Sequence, residues 1–141
     1  MEIAKKIYKY KIVYYTILVF SFLVVILYGF GLIRNINNFS TYSFLNWIFL
    51  TQTIFNLIIF VTSVICLFSK YKKSILINNI GYISLVIVII QNIYMFLFTR
   101  YRVSNSIISA FIILSIVLIV MFLNNYFKVN KEYTEIEEIG K

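Results

Sequence analysis

The sequence predicts an all-α integral membrane protein, with four transmembrane helices in an antiparallel up-down bundle and both termini cytoplasmic. Three observations lead there. Four apolar runs, at 12–33, 44–68, 75–98 and 107–127, contain no Asp, Glu, Lys or Arg. Short polar segments join them, which makes consecutive helices antiparallel neighbours. Basic residues gather on alternate segments. A bilayer core about 30 Å thick takes roughly 20 apolar residues of helix, and every run reaches that length. With 62% hydrophobic, 19% aromatic and 13% charged residues, too few polar side chains remain to cover a water-facing surface. Residues 1–127 are read as one membrane domain and 128–141 as a short charged cytoplasmic tail.

Before the first run, Met1–Lys11 carries Lys5, Lys6, Lys9 and Lys11, like the basic region of a signal peptide. The run that follows is too long for a cleaved signal and has no small-residue cleavage site after it. It is expected to stay as the first span. Gly29 and Gly31 near its end, followed by the Asn- and Ser-rich segment Arg34–Tyr42, mark the first turn. The second span ends at a basic hairpin, Ser69–Ser74, with Lys70, Lys72 and Lys73. The third leads into Thr99–Ser106, which holds Arg100 and Arg102. Beyond the fourth, Tyr133, Ile136 and Ile139 are the apolar residues that could form a helical stripe in the tail, as in a short docking helix, although the tail is read first as a frayed, solvated end.

Orientation follows from the basic residues. Of 13 Lys and Arg, all but Arg34, Arg100 and Arg102 lie on the N-terminal segment, the Ser69–Ser74 hairpin or the tail. The positive-inside rule puts those three segments in the cytoplasm. The net charge of +8 is scattered over helix ends, with no folded surface to form a nucleic-acid groove. Attraction to anionic lipid accounts for it, with Lys5, Lys6, Lys9, Lys11, Lys70, Lys72 and Lys73 as candidate headgroup contacts. Tyr8, Tyr10, Tyr14, Tyr15, Tyr28, Tyr42, Trp47, Tyr71, Tyr101 and Tyr126 cluster near the run ends as an interfacial belt. Ile, Phe, Tyr, Asn and Lys abound, Ala occurs only at Ala4 and Ala110, and Pro is absent. These are the preferences of AT-rich codons. They suggest the inner membrane of an AT-rich microbe, with an organellar membrane as the second reading, and they discount any single Asn as a sign of function.

Missing residue types narrow the chemistry. With no His, haem held by His and the common His-containing zinc or iron sites are excluded, as are Ser-His and Cys-His nucleophile pairs. The lone Cys66 cannot form an intramolecular disulfide, and four-helix enzymes that pass disulfides to quinones need several cysteines. No acid lies inside a span, whereas ion-coupled transporters usually rely on one. The chain is therefore read as no enzyme, with no catalytic residue, cofactor or metal.

Neutral polar residues remain at membrane depth. Gln52, Asn56 and Ser63 recur at i, i+4 and i+11 on one face of the second helix. Gly81, Ser84, Gln91 and Met95 share a face of the third, with Asn92 beside it. Gln52 lies 17 residues before Ser69 and Gln91 lies 17 after Ser74. At about 1.5 Å per residue both stand roughly 25 Å up the hairpin and can meet. Gln52, Asn56, Ser84, Gln91 and Asn92 are thus candidate intramembrane polar contacts, either hydrogen-bonded between helices or lining a hydrophilic path. Ser104, Ser106, Ser109, Ala110 and Ser115 are read as small residues that let the fourth helix approach its neighbours closely.

In type, although not in any residue pattern, the chain is similar to the small, motif-poor immunity proteins that protect bacteriocin producers and to membrane effectors of bacterial defence. Small multidrug exporters match in length and helix number, but their first-helix acid is missing here. The expected function is non-enzymatic association with a membrane partner, as accessory subunit, immunity factor or regulator. The alternative is a self-oligomerising pore or small transporter. Reporter fusions check the topology: a fusion after Lys141 is expected to report cytoplasm, and one within Arg34–Tyr42 the opposite side. A C-terminal signal from outside would require an odd number of spans.

Overall fold

The computed structural model describes residues 7–37, 44–71, 73–98 and 104–129. The described residues form four helices, α1 (Lys11–Asn37), α2 (Phe44–Phe68), α3 (Ser74–Phe98) and α4 (Ser104–Tyr126). All four are long and apolar enough to cross a membrane. α1 runs on past Gly29 and Gly31 and takes in Arg34 as a cation in its last turn, where the partial negative charge of the helix terminus favours one. The sequence had placed a turn from Arg34 onward. Helical hydrogen bonding outweighs two glycines that cost only about 1 kcal/mol each. Lys5, Lys6, Lys72, Arg100, Arg102, most of the first turn and the tail from residue 130 lie outside the described residues.

The α2–α3 hairpin closes with a Schellman cap, in which Tyr71 N–H donates to the Cys66 carbonyl at 2.9 Å and Lys70 N–H to the Leu67 carbonyl at 3.0 Å. Such a cap requires a left-handed residue at its turn, and Lys70 supplies it with φ of 50°. The Leu67 carbonyl also accepts the Tyr14 hydroxyl at 3.1 Å, so α1 is tied to the end of α2.

Around the bundle the helices neighbour one another in the order α1, α2, α3, α4, and the α1–α4 seam is the thinnest. Between 17 and 28% of the residues in each span are buried. The outer surface is therefore a continuous coat of Ile, Leu, Val and Phe. Where a hydroxyl faces outward, its own helix satisfies it: Thr16, Thr51, Thr62 and Ser115 each donate to the carbonyl four residues back. An exposed hydroxyl thus carries no unmet donor into an apolar surrounding. Ser109 and Ser115 lie on the exposed face of α4, so close approach between helices does not depend on them as the sequence suggested.

Close approach occurs instead at Gly81. A Cβ built there would stand 2.9 Å from Phe60 Cζ and 3.1 Å from Ile59 Cγ2. Phe60 is itself fully buried and touches the Tyr82 ring, with centroids 5.9 Å apart. It has no free volume into which to retreat. Gly81→Ala is accordingly expected to destabilise the bundle by about 1–3 kcal/mol through overpacking, read as a lower unfolding midpoint in detergent. Ala at Gly29, which meets nothing within 4 Å, should be neutral or slightly stabilising.

Candidate functional site

A polar core joins all four helices at the end that carries the termini and the α2–α3 hairpin. α3 supplies its centre, Asn78 and Asn79. The Asn78 carboxamide oxygen accepts the Ser63 hydroxyl from α2 and the Ser21 hydroxyl from α1, the latter at 3.5 Å. Asn79, the next residue, turns to α4. Its oxygen accepts N–H bonds from Asn124 at 2.8 Å and Asn125 at 2.9 Å, and its own amide donates to Asn125 at 2.8 Å. Asn124 donates further to the Ile75 carbonyl at 3.2 Å, and Asn125 to the Met121 carbonyl at 2.8 Å. Ser21, Ser63, Asn78 and Asn124 are fully buried.

Tyr8 completes this core from outside the helices. Residues 7–9 pair antiparallel with 127–129, Lys9 N–H donating to the Phe127 carbonyl at 2.8 Å and Val129 N–H to the Ile7 carbonyl at 3.0 Å. The pairing turns the Tyr8 side chain inward, where its hydroxyl donates to Asn124 Oδ1. Tyr8 is 4% exposed, so it is a core residue and not a member of the interfacial belt. Tyr10, Tyr15, Trp47, Tyr71 and Tyr126 are exposed, as belt residues are. Burial pushes the Tyr8 phenol well above its ordinary pKa.

Gln52 and Gln91 meet at the level that their spacing predicts: Gln52 Nε2 donates to Gln91 Oε1 at 2.7 Å. Asn56 is fully buried and folds back onto its own helix, donating to the Gln52 carbonyl at 3.0 Å. Nearby, Asn35 of α1 donates to Thr53 Oγ1 at 3.3 Å. Ser84 is half-buried and Asn92 exposed, and neither joins the glutamine pair. Lys9, Lys11, Lys70 and Lys73 are exposed at the basic end, where headgroups would lie.

Between the two polar levels the interior is closed by rings. Phe20 of α1 and Phe60 of α2 flank Tyr82 of α3, with centroids 6.0 and 5.9 Å from it, and Leu85, Val24 and Val117 fill the remainder. Among the described residues, five buried polar atoms lack a hydrogen-bond partner: Gln52 Oε1, Asn56 Oδ1, Ser74 Oγ, Asn78 Nδ2 and the Tyr82 hydroxyl. No three of His, Cys, Asp and Glu come together among the described residues; every acid of the chain, Glu2 included, lies outside them. No protein-family model, curated protein or solved structure matches the chain.

The asparagine core carries no mark in the apolar pattern. Its signal is the recurrence of an Asn-Asn doublet, Asn78–Asn79 and Asn124–Asn125, at similar depth near one end of adjacent antiparallel helices. Codon bias hides it.

Two expectations follow. Gln52→Leu or Gln91→Leu alone strands a buried amide, at about 1–3 kcal/mol, whereas the double variant should fall close to the parent. A double-mutant cycle in detergent is then expected to show coupling, its size set by how far the two single losses together exceed that of the double variant. For Tyr8, a folded-state pKa above the unfolded value of 10.0 means that the native state holds its proton more tightly. Its contribution is full below pH 10.0 and is lost as pH rises beyond. Tyr8→Phe should flatten the alkaline loss of stability and remove a late component from the tyrosinate absorbance titration.

Proposed function

We propose that the chain is a multi-pass membrane protein, with both termini cytoplasmic, that acts without chemistry of its own by associating with a partner in the bilayer. Accessory subunit, immunity factor and regulator are the roles of that kind. The observation that supports this reading is the ring cluster Phe20–Tyr82–Phe60 across the bundle. Among the described residues the interior at that level is filled by rings and aliphatic side chains, which speaks against a path through a single chain. What remains for recognition is the outer surface. α1 and α4, the least buried spans, flank the thinnest seam and are the natural docking face for spans of another protein.

Self-assembly into a pore is the second reading, favoured by the unpartnered Gln52 Oε1 and Asn56 Oδ1. One pair of measurements separates the two. A photo-crosslinking residue at Ile112 or Ile119 of α4, both exposed, is expected to give a discrete heterologous adduct in cells. The purified chain in dye-loaded liposomes is expected to leave them sealed. Leakage, or adducts only between copies of the chain, would overturn the partner reading in favour of the pore.

A further inference from the structure

At the basic end, a groove of about 460 Å³ opens between the first turn of α3 and the last turn of α4. Lys73 and Lys128 stand at it, Asn79 and Asn125 line it, and Ile75 and Leu76 give it apolar walls. The paired terminal segments close it with Ile7 and Val129. Its composition is that of an amphiphile's site, with two cations and carboxamides at the polar end and aliphatic side chains alongside. Asn125 spends both amide hydrogens, on Asn79 and Met121, whereas Asn79 donates only once. One N–H of Asn79 therefore remains for a ligand acceptor. From Leu76 the exposed apolar residues Ile80, Ile83 and Ile87 continue along α3 at helical spacing, a track of the kind an acyl chain follows.

We propose that this groove is a specific site for one anionic phospholipid, its phosphate held between Lys73 and Lys128 and its acyl chain running down α3. Charge complementarity chooses the occupant, since the described residues that line the groove include Lys73 and Lys128 and no acid, and juxtamembrane lysines attract anionic lipid. The depth also suits a headgroup, because the groove sits where two spans end. The inference rests on the membrane reading but not on the existence of a protein partner.

The test uses the full chain in mild detergent, with retained lipid counted by native mass spectrometry. The probes are phosphatidylglycerol and phosphatidylcholine of matched chains, and inorganic phosphate as competitor. Phosphatidylglycerol is expected to bind one per chain and resist competition by phosphate. K73Q/K128Q should bind it about thirtyfold more weakly, from about fivefold per lysine. K9Q/K11Q, which removes two exposed cations at the same end that do not line the groove, should retain it. Equal retention of both lipids, equal losses in the two double variants, or displacement by phosphate would each overturn the proposal. Resistance of the chain to carbonate extraction from membranes reads insertion separately, so a failed groove and a failed membrane reading are told apart.

Discussion

Two adjacent carboxamides on α3 hold the bundle together. Consecutive residues of a helix point about 100° apart, so Asn78 faces α1 and α2 while Asn79 faces α4. If the four helices span a bilayer, as their length and apolarity allow, no hydrophobic force draws them together within the hydrocarbon, and an unmet amide finds no water there. Each asparagine is therefore a directional constraint: only one rotation and one depth of each neighbour satisfies it. The remaining contacts conform. Tyr14 reaches the end of α2, Tyr8 is drawn inward by Asn124, and Gly81, three residues on from Asn78, lets α2 come close enough for Ser63 to reach its acceptor.

The fold was legible in the sequence because span length is set by the bilayer and connection length leaves no choice of neighbour. The Gln52–Gln91 pair was legible for a similar reason: a tight hairpin makes depth countable from either side. Asn78, Asn79, Asn124 and Asn125 were not, because in a chain rich in Asn a single Asn carries little information, and a doublet near a helix end reads as interfacial. Tyr8 was misread on other grounds. Its fate depends on pairing with residue 128, at the far end of the chain, which no local pattern records. Ser115 of α4 illustrates the opposite error, a small residue in a span being taken for part of a contact face when it is exposed and its hydroxyl returns to the Phe111 carbonyl of its own helix.

The two polar levels differ in character. The lower one is a branched network with members on every helix and adds specificity as well as strength. The upper one is a pair with a backbone-bound neighbour, confined to α2 and α3, with Thr53 and Asn35 linking α1. The rings of Phe20, Tyr82 and Phe60 lie between them. Unpartnered polar atoms occur at both levels, Ser74 Oγ and Asn78 Nδ2 near the basic end and Gln52 Oε1 and Asn56 Oδ1 toward the opposite one.

The bridge between residues 7–9 and 127–129 has a consequence for biogenesis. A nascent chain emerges from its N-terminus, yet the seat of Tyr8 is completed by Asn124, made more than a hundred residues later. Tyr8 can thus take its place only after the far later Asn124 has been made. Until the fourth helix arrives, Asn79 and Tyr8 both wait without their partners, and a chain arrested after three spans exposes those groups as a recognisable sign of incompleteness.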